Sequence, residues 1–117
     1  MTTNVFLHLL DVSVDILLNT KSYGYEISWS LGENCTSGAA GSYGSHQEYP
    51  KSCSLPRGEY TLSCKDSYGD GWNGGRIKIQ GQTYCEKFTQ GTEMSVQLTI
   101  GGKINNIATS VKFANMS

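Results

Sequence analysis

Short runs of alternating apolar and polar residues recur along the chain, and this pattern constrains the fold more than any other feature. A period of two places every second side chain on the same face of a β-strand, so each run predicts a strand with one face in a core. Clear runs occupy residues 12–18, 25–31, 60–62, 77–79 and 94–100, and weaker ones occupy residues 5–10, 84–88 and 107–113. The pattern predicts an all-β fold, an antiparallel β-sandwich or jelly roll of about eight short strands.

Glycine-rich segments between the runs supply the turns, because glycine adopts positive φ angles without steric cost. The longest, residues 36–45, is interpreted as one long loop. Both prolines, Pro50 and Pro56, are assigned to loops, since proline lacks the N–H that a strand donates within a sheet. No repeat or linker divides the sequence, so residues 1–117 are predicted to form a single β-sandwich domain.

The charge balance argues against two classes of partner. Lys and Arg number 9 and Asp and Glu number 10, which leaves a net charge of −1. Such a chain has no overall field that would attract nucleic acid or an anionic membrane surface. The longest apolar runs, such as residues 16–18, are far shorter than the ~20 residues that a transmembrane helix needs. We therefore expect neither nucleic-acid binding nor membrane insertion.

Four cysteines in a small, glycine-rich β chain predict two disulfides, for which three pairings are possible. We favour Cys35–Cys53 and Cys64–Cys85, because these bonds close loops of similar size. The alternative is a cytosolic protein with four reduced thiols. No Cys-x-x-Cys spacing occurs, which argues against a zinc ribbon. Disulfides predict a secreted or cell-surface location. No signal peptide is visible, so export requires either a removed signal or an unconventional route.

The segment from Asp66 to Gly75 contains the candidate metal ligands. Asp66, Asp70 and Gly71 match positions 1, 5 and 6 of a calcium-binding turn, in which two carboxylates and a sharp bend let backbone carbonyls join the coordination. The segment is not an EF-hand, because Ile77 stands where that motif has a bidentate Glu. The sequence therefore predicts calcium as a candidate cofactor. The alternative is that both aspartates only cap the turn through backbone N–H groups.

The same segment contains candidate sugar-binding residues. Trp72 lies among glycines, and an exposed indole stacks well on the C–H face of a sugar ring. Tyr68, Asn73 and Asp70 would add hydrogen bonds to hydroxyl groups. The alternative is that Trp72 folds back to close one end of the sandwich and that Asn73 only satisfies the turn. Trp29, in an alternating run, is predicted to lie in the core.

Three stretches of this sequence resemble a known β module. Residues 66–74 are Asp-Ser-Tyr-Gly-Asp-Gly-Trp-Asn-Gly, and they follow Gly-Glu-Tyr-Thr-Leu at residues 58–62. Upstream lie Tyr-Glu-Ile-Ser-Trp at residues 25–29 and Cys-Ser-Leu-Pro-Arg-Gly-Glu-Tyr at residues 53–60, the latter with one serine inserted after the cysteine. The chain is similar, over about residues 12–100, to a module of secreted and cell-surface proteins of microbes and aquatic eukaryotes. This resemblance implies an extracellular adhesive or glycan-binding, lectin-like role.

The sequence offers few residues that could form a catalytic site. His8 and His46 are the histidines, and no known hydrolase or phosphate-binding motif is present. Asp66 and Asp70 lie in one tight turn rather than across a cleft, which argues against glycoside hydrolysis. We predict that the protein is not an enzyme.

The favoured function is a carbohydrate-binding lectin or adhesion module, for which calcium is a candidate structural or bridging ion. Its partners would be glycans of glycoproteins or cell-surface polysaccharide. The alternative is a structural or matrix domain that binds protein partners without recognising sugar. One shallow site binds a sugar weakly, so several copies are needed, and residues 107–113 offer a strand edge for a homo-oligomer.

Overall fold

The computed structural model describes residues 11–101, which form seven β-strands and one short 3-10 turn. The strands are β1 (Asp11–Asn19), β2 (Ile27–Leu31), β3 (Glu48–Pro56), β4 (Gly58–Asp66), β5 (Arg76–Ile79), β6 (Gln82–Tyr84) and β7 (Glu93–Ile100), and the 3-10 turn, Gly24–Glu26, precedes β2. The all-β prediction is confirmed. The strand predicted at residues 5–10 and the oligomer edge predicted at residues 107–113 lie outside the described residues. Within residues 11–101, no helix is long and apolar enough to cross a membrane.

The strands form two antiparallel sheets that share one core. The four-stranded sheet has the order β3-β1-β5-β6, and the three-stranded sheet has the order β2-β4-β7. Period-two alternation turns one face of each sheet inward, where its apolar side chains meet those of the other sheet. The buried side chains of the sheets include Val14, Ile16, Leu18, Leu55, Ile77 and Ile79 from the first sheet and Ile27, Trp29, Leu31, Leu62, Leu98 and Ile100 from the second. The core position predicted for Trp29 is confirmed.

Strand β3 is the element that the alternation pattern does not predict. It lies at the edge of its sheet, and only Cys53 and Leu55 of its side chains are buried, so it lacks a full apolar row. The assignment of Pro50 and Pro56 to loops is wrong, because both lie in β3. An edge strand tolerates proline, since one side of its backbone has no partner strand to receive an N–H.

Both predicted disulfides are confirmed, and each joins the two sheets. Cys53 of β3 bonds to Cys35, which lies in the loop after β2. Cys64 of β4 bonds to Cys85, just beyond β6. The left-handed φ of Cys85, 65°, ends β6 early, so the strand predicted at residues 84–88 is limited to its first residue. Two disulfides and no free cysteine are typical of a protein from an oxidising, extracellular environment.

Candidate functional site

Asp66, the last residue of β4, organises the turn that follows it. Its side chain is 1% exposed, and its carboxylate accepts backbone N–H groups from Tyr68 at 3.4 Å, Gly69 at 2.7 Å and Asp70 at 2.5 Å. Burial by itself raises the pKa of Asp66, but hydrogen bonds, led by that from the Asp70 N–H, outweigh burial and hold the pKa below its ordinary value. Asp66 therefore caps the turn, and its carboxylate keeps lone pairs for a further partner.

Glu26 joins this turn, although the sequence pattern predicts the opposite. The alternation places Tyr25 inward and Glu26 outward, whereas the structure leaves Tyr25 54% exposed and Glu26 only 8% exposed. The 3-10 turn breaks the period of two, because strand geometry begins only at β2. Tyr23, with φ 61°, starts this turn, and its carbonyl accepts the Glu26 N–H at 3.0 Å. No sequence pattern indicates this burial, because the alternation assigns Glu26 to the exposed face of the run.

The carboxylates of Glu26, Asp66 and Asp70 form an acidic cluster, with one oxygen of each within 4.8 Å of the others. Glu26 Oε1 and Asp70 Oδ1 are buried and have no hydrogen-bond partner among the described residues. Burial, followed by hydrogen bonding and charge repulsion from Asp66 and Asp70, raises the pKa of Glu26 from 4.5 to about 7. At neutral pH the cluster therefore needs a proton or a cation to compensate its charge.

The loop that carries Asp66 and Asp70 is held on two sides by backbone hydrogen bonds. On one side, the Ser67 N–H donates to the Glu26 carbonyl at 3.0 Å, which ties the loop to the 3-10 turn. On the other side, the Gly71 N–H donates to the Gly91 carbonyl at 3.2 Å. Gly71 has a φ of 79°, and a Cβ there would collide with the Phe88 carbonyl. Only glycine satisfies both conditions, so the bend predicted at Gly71 has a second cause, close backbone approach.

Trp72 does not have the exposed indole that a sugar ring requires. Its side chain is completely buried, its indole N–H donates to the Lys65 carbonyl at 2.8 Å, and its ring centroid lies 6.2 Å from that of Phe88. The sugar-stacking role for Trp72 is therefore wrong, and the alternative, that it closes one end of the sandwich, describes its position. The physical reason is that burial and one satisfied N–H stabilise the indole more than exposure among glycines.

Tyr68 and Asn73 lie on either side of this buried tryptophan. Tyr68 is 76% exposed, so its ring is free to contact a ligand. Asn73 is half-buried, adopts a left-handed φ of 53°, and its side-chain N–H donates to the Gly71 carbonyl at 3.4 Å. Asn73 thus hydrogen-bonds within the turn, which agrees with the alternative interpretation of the sequence, that Asn73 only satisfies the turn.

Three tyrosines form what we name the tyrosine surface: Tyr23, Tyr25 and Tyr68. They are the large hydrophobic side chains left exposed within residues 11–101, at 49%, 54% and 76%. The rings of Tyr23 and Tyr25 meet edge to face, with centroids 6.2 Å apart. All three come from the two segments that supply the acidic cluster, and the hydrogen bond from Ser67 to Glu26 joins these segments. The structure therefore brings exposed aromatic rings and buried carboxylates to one end of the sandwich.

A separate groove of about 450 Å³ is lined mainly by β1, β3 and β5, with Asp15, Lys51 and Lys78 among its residues. It shares no residue with the acidic cluster or the tyrosine surface. This groove therefore offers positions for control substitutions away from the tyrosine surface and the acidic cluster.

Comparisons of the chain with protein-family models, with curated proteins and with solved structures return no match. The site is therefore interpreted from its own geometry.

Proposed function

We propose that the protein is a non-catalytic carbohydrate-binding or adhesion module that acts in the secreted or cell-surface space, and that the tyrosine surface contacts the sugar. The observation that carries this proposal is the exposure of Tyr23, Tyr25 and Tyr68 on the two segments joined at Glu26 and Ser67. The two disulfides support an extracellular location.

Exposed tyrosines suit a sugar better than the buried indole does. A phenol ring offers an apolar face to the C–H groups of a sugar ring, and its hydroxyl both donates and accepts a hydrogen bond. Tyr23 and Tyr25 restrain each other through their edge-to-face contact, so less side-chain entropy is lost when a ligand binds. Asp70, half-buried and two residues after Tyr68, would add a carboxylate acceptor.

Such a surface binds weakly at each site. It covers one or two sugar rings, and each hydrogen bond to a sugar replaces one to water, which leaves a net gain of about 0.5–1.5 kcal/mol. We expect single-site dissociation constants between about 1 mM and tens of micromolar. Adhesion then requires several copies on one surface.

The experiment uses the disulfide-bonded protein, biotinylated and displayed on streptavidin beads, against an array of immobilised glycans. The Tyr68→Ala variant should lose binding, and Tyr68→Phe, which keeps the ring, should retain most of it. Lys78→Ala, in the separate groove, is the matched control and should bind as the wild type does. The proposal fails if the wild-type beads bind no glycan, or if only Lys78→Ala loses binding.

The rival function is a matrix domain that binds protein, and exposed tyrosines favour it too, because tyrosine is enriched at protein interfaces. Competition with free sugar separates the two. Binding to cells that persists in excess free sugar and after enzymatic removal of glycans, yet is lost in Tyr68→Ala, identifies a protein partner and contradicts glycan recognition.

A further inference from the structure

We infer that the acidic cluster is a calcium site whose ligands are Glu26, Asp66 and Asp70. The inference does not depend on glycan binding. Asp66 and Asp70 come from the glycine-rich loop, whereas Glu26 comes from a segment far upstream and is the ligand that the sequence pattern hides.

The first argument is the unpaired oxygen of Glu26. The Glu26 side chain is 8% exposed, and its Oε1 has no hydrogen-bond partner among residues 11–101. A buried carboxylate oxygen without a partner costs several kcal/mol, and two further carboxylates beside it add repulsion. Asp70 Oδ1 is buried and unpaired in the same cluster. Both unpaired oxygens belong to carboxylates of the acidic cluster, and a bound cation would satisfy them.

The second argument is the chemistry and spacing of the ligands. All three are hard carboxylate oxygens, which suit Ca²⁺ or Mg²⁺ and not the nitrogen and sulfur preference of zinc. The three oxygens lie within 4.8 Å of one another. Ca²⁺ binds six to eight oxygens at about 2.3–2.6 Å in flexible geometry, so three oxygens at this spacing can contact one calcium ion after at most a small adjustment, whereas Mg²⁺ requires near-octahedral oxygens at about 2.0–2.1 Å and is favoured less.

The third argument is that the cluster is already organised and still accessible. Backbone N–H groups fix the Asp66 carboxylate in place, and the Ser67–Glu26 hydrogen bond fixes the distance between the two contributing segments. Asp70 is only half-buried, which leaves a path from solvent. Calcium accepts six to eight oxygens, and water would supply those that the carboxylates do not. Glu26 would supply the acidic ligand that the loop lacks at Ile77, the position at which an EF-hand has a bidentate Glu.

The competing explanation is a proton shared between Glu26 and one of the aspartates. A proton and a calcium ion compensate the same excess charge, and they differ in response to chelator. With a bound cation, the folded state gains stability as calcium is added, because the ion binds the folded chain alone. With a shared proton, calcium changes nothing.

The test is calorimetric titration of CaCl₂ into chelator-stripped, disulfide-bonded protein, together with thermal melting at 0 and 5 mM CaCl₂. We expect one ion per chain and a rise in melting temperature. Glu26→Gln should weaken calcium binding by about tenfold or more, because ligand charge sets affinity in such sites. Gln matches the size of Glu and bears no charge, so the variant keeps the packing of the buried side chain. Glu33→Gln, the same change at an exposed position, is the matched control and should bind as the wild type does.

Three results overturn the inference. An absence of both heat and melting shift for the wild type at 5 mM CaCl₂ would assign the cluster to the shared proton. Wild-type affinity in Glu26→Gln would place the ion elsewhere. Tighter binding of MgCl₂ than of CaCl₂ would contradict the assignment of the ion. Luminescence of Tb³⁺ excited through the aromatic side chains provides a second reading of the same titrations.

Discussion

Replacing Trp72 with alanine tests whether this side chain binds a ligand or holds the sandwich together. The indole is completely buried, and removal of a buried tryptophan costs about 3–5 kcal/mol through lost transfer energy and the cavity left behind. The Lys65 carbonyl, which accepts the indole N–H at 2.8 Å, also loses its partner, which adds about 1 kcal/mol. We therefore expect Trp72→Ala to lower the free energy of unfolding by about 4–6 kcal/mol.

A loss of this size is a large part of the 5–15 kcal/mol that is typical of a domain. At about 4 °C per kcal/mol, the melting temperature should fall by about 15–25 °C. The assays are urea unfolding for the free energy and thermal melting for the temperature, both followed by circular dichroism with both disulfides intact, so that the readout does not depend on the missing tryptophan.

The control is Tyr68→Ala in the same loop. Because Tyr68 is 76% exposed, its removal should change the free energy of unfolding by no more than about 0.5 kcal/mol. A Trp72→Ala variant that unfolds at the wild-type midpoint would refute the core position of Trp72. A Tyr68→Ala variant that is strongly destabilised would show that Tyr68 is not the free aromatic that the proposed function requires.

Two further predictions concern the loop and the acidic cluster. Gly71→Ala should destabilise the protein by about 2–5 kcal/mol in urea unfolding, because the cost of a positive φ and the cost of a collision with the Phe88 carbonyl add up. Gly69→Ala, with φ 102° and only an ordinary contact of 3.7 Å from the Cβ to Thr92, should lose only about 1–2 kcal/mol. Equal losses in the two variants would contradict the close backbone approach at Gly71. The pKa of Glu26 is raised from 4.5 to about 7, so between these pH values the folded chain takes up a proton that the unfolded chain does not. In chelator, the melting temperature should therefore rise as pH falls from about 7 to about 4.5, and Glu26→Gln should remove this pH dependence. A wild type that is more stable at pH 8 than at pH 5 would contradict the prediction.

Most of the fold is predictable from the sequence because most strands have one buried face. The alternation of Val14, Ile16 and Leu18 identifies β1 without further information, since a half-buried strand must repeat every two residues. The same reasoning does not predict strand β3. It pairs on one side only, so its exposed residues carry no pattern, and Pro50 argues against a strand unless its edge position is known.

The candidate site is less predictable, because it depends on contacts between distant segments. Asp66 and Asp70 are visible in the sequence as candidate ligands in one loop, where spacing alone suggests a role. Glu26 is not, since its burial follows from a 3-10 turn that interrupts the alternation before β2 and from a hydrogen bond that its carbonyl accepts from Ser67. For Trp72 the sequence is misleading in the opposite direction. A tryptophan among glycines suggests an exposed indole, and the structure shows instead that the Trp72 ring is buried and packs against Phe88.

The two cross-sheet disulfides also determine how the domain responds to a mechanical load. The bonded cysteines are 18 residues apart in the sequence in one disulfide and 21 residues apart in the other. If the chain is pulled at Asp11 and Gly101 until its strands unfold, the force passes through the sulfur atoms and bypasses both enclosed segments, which stay slack. About 130 Å of extended length is thus withheld while the bonds are intact. Reduction releases that length, so an unfolded, tethered copy of this domain reaches a longer maximum extension after exposure to a reductant than under oxidising conditions.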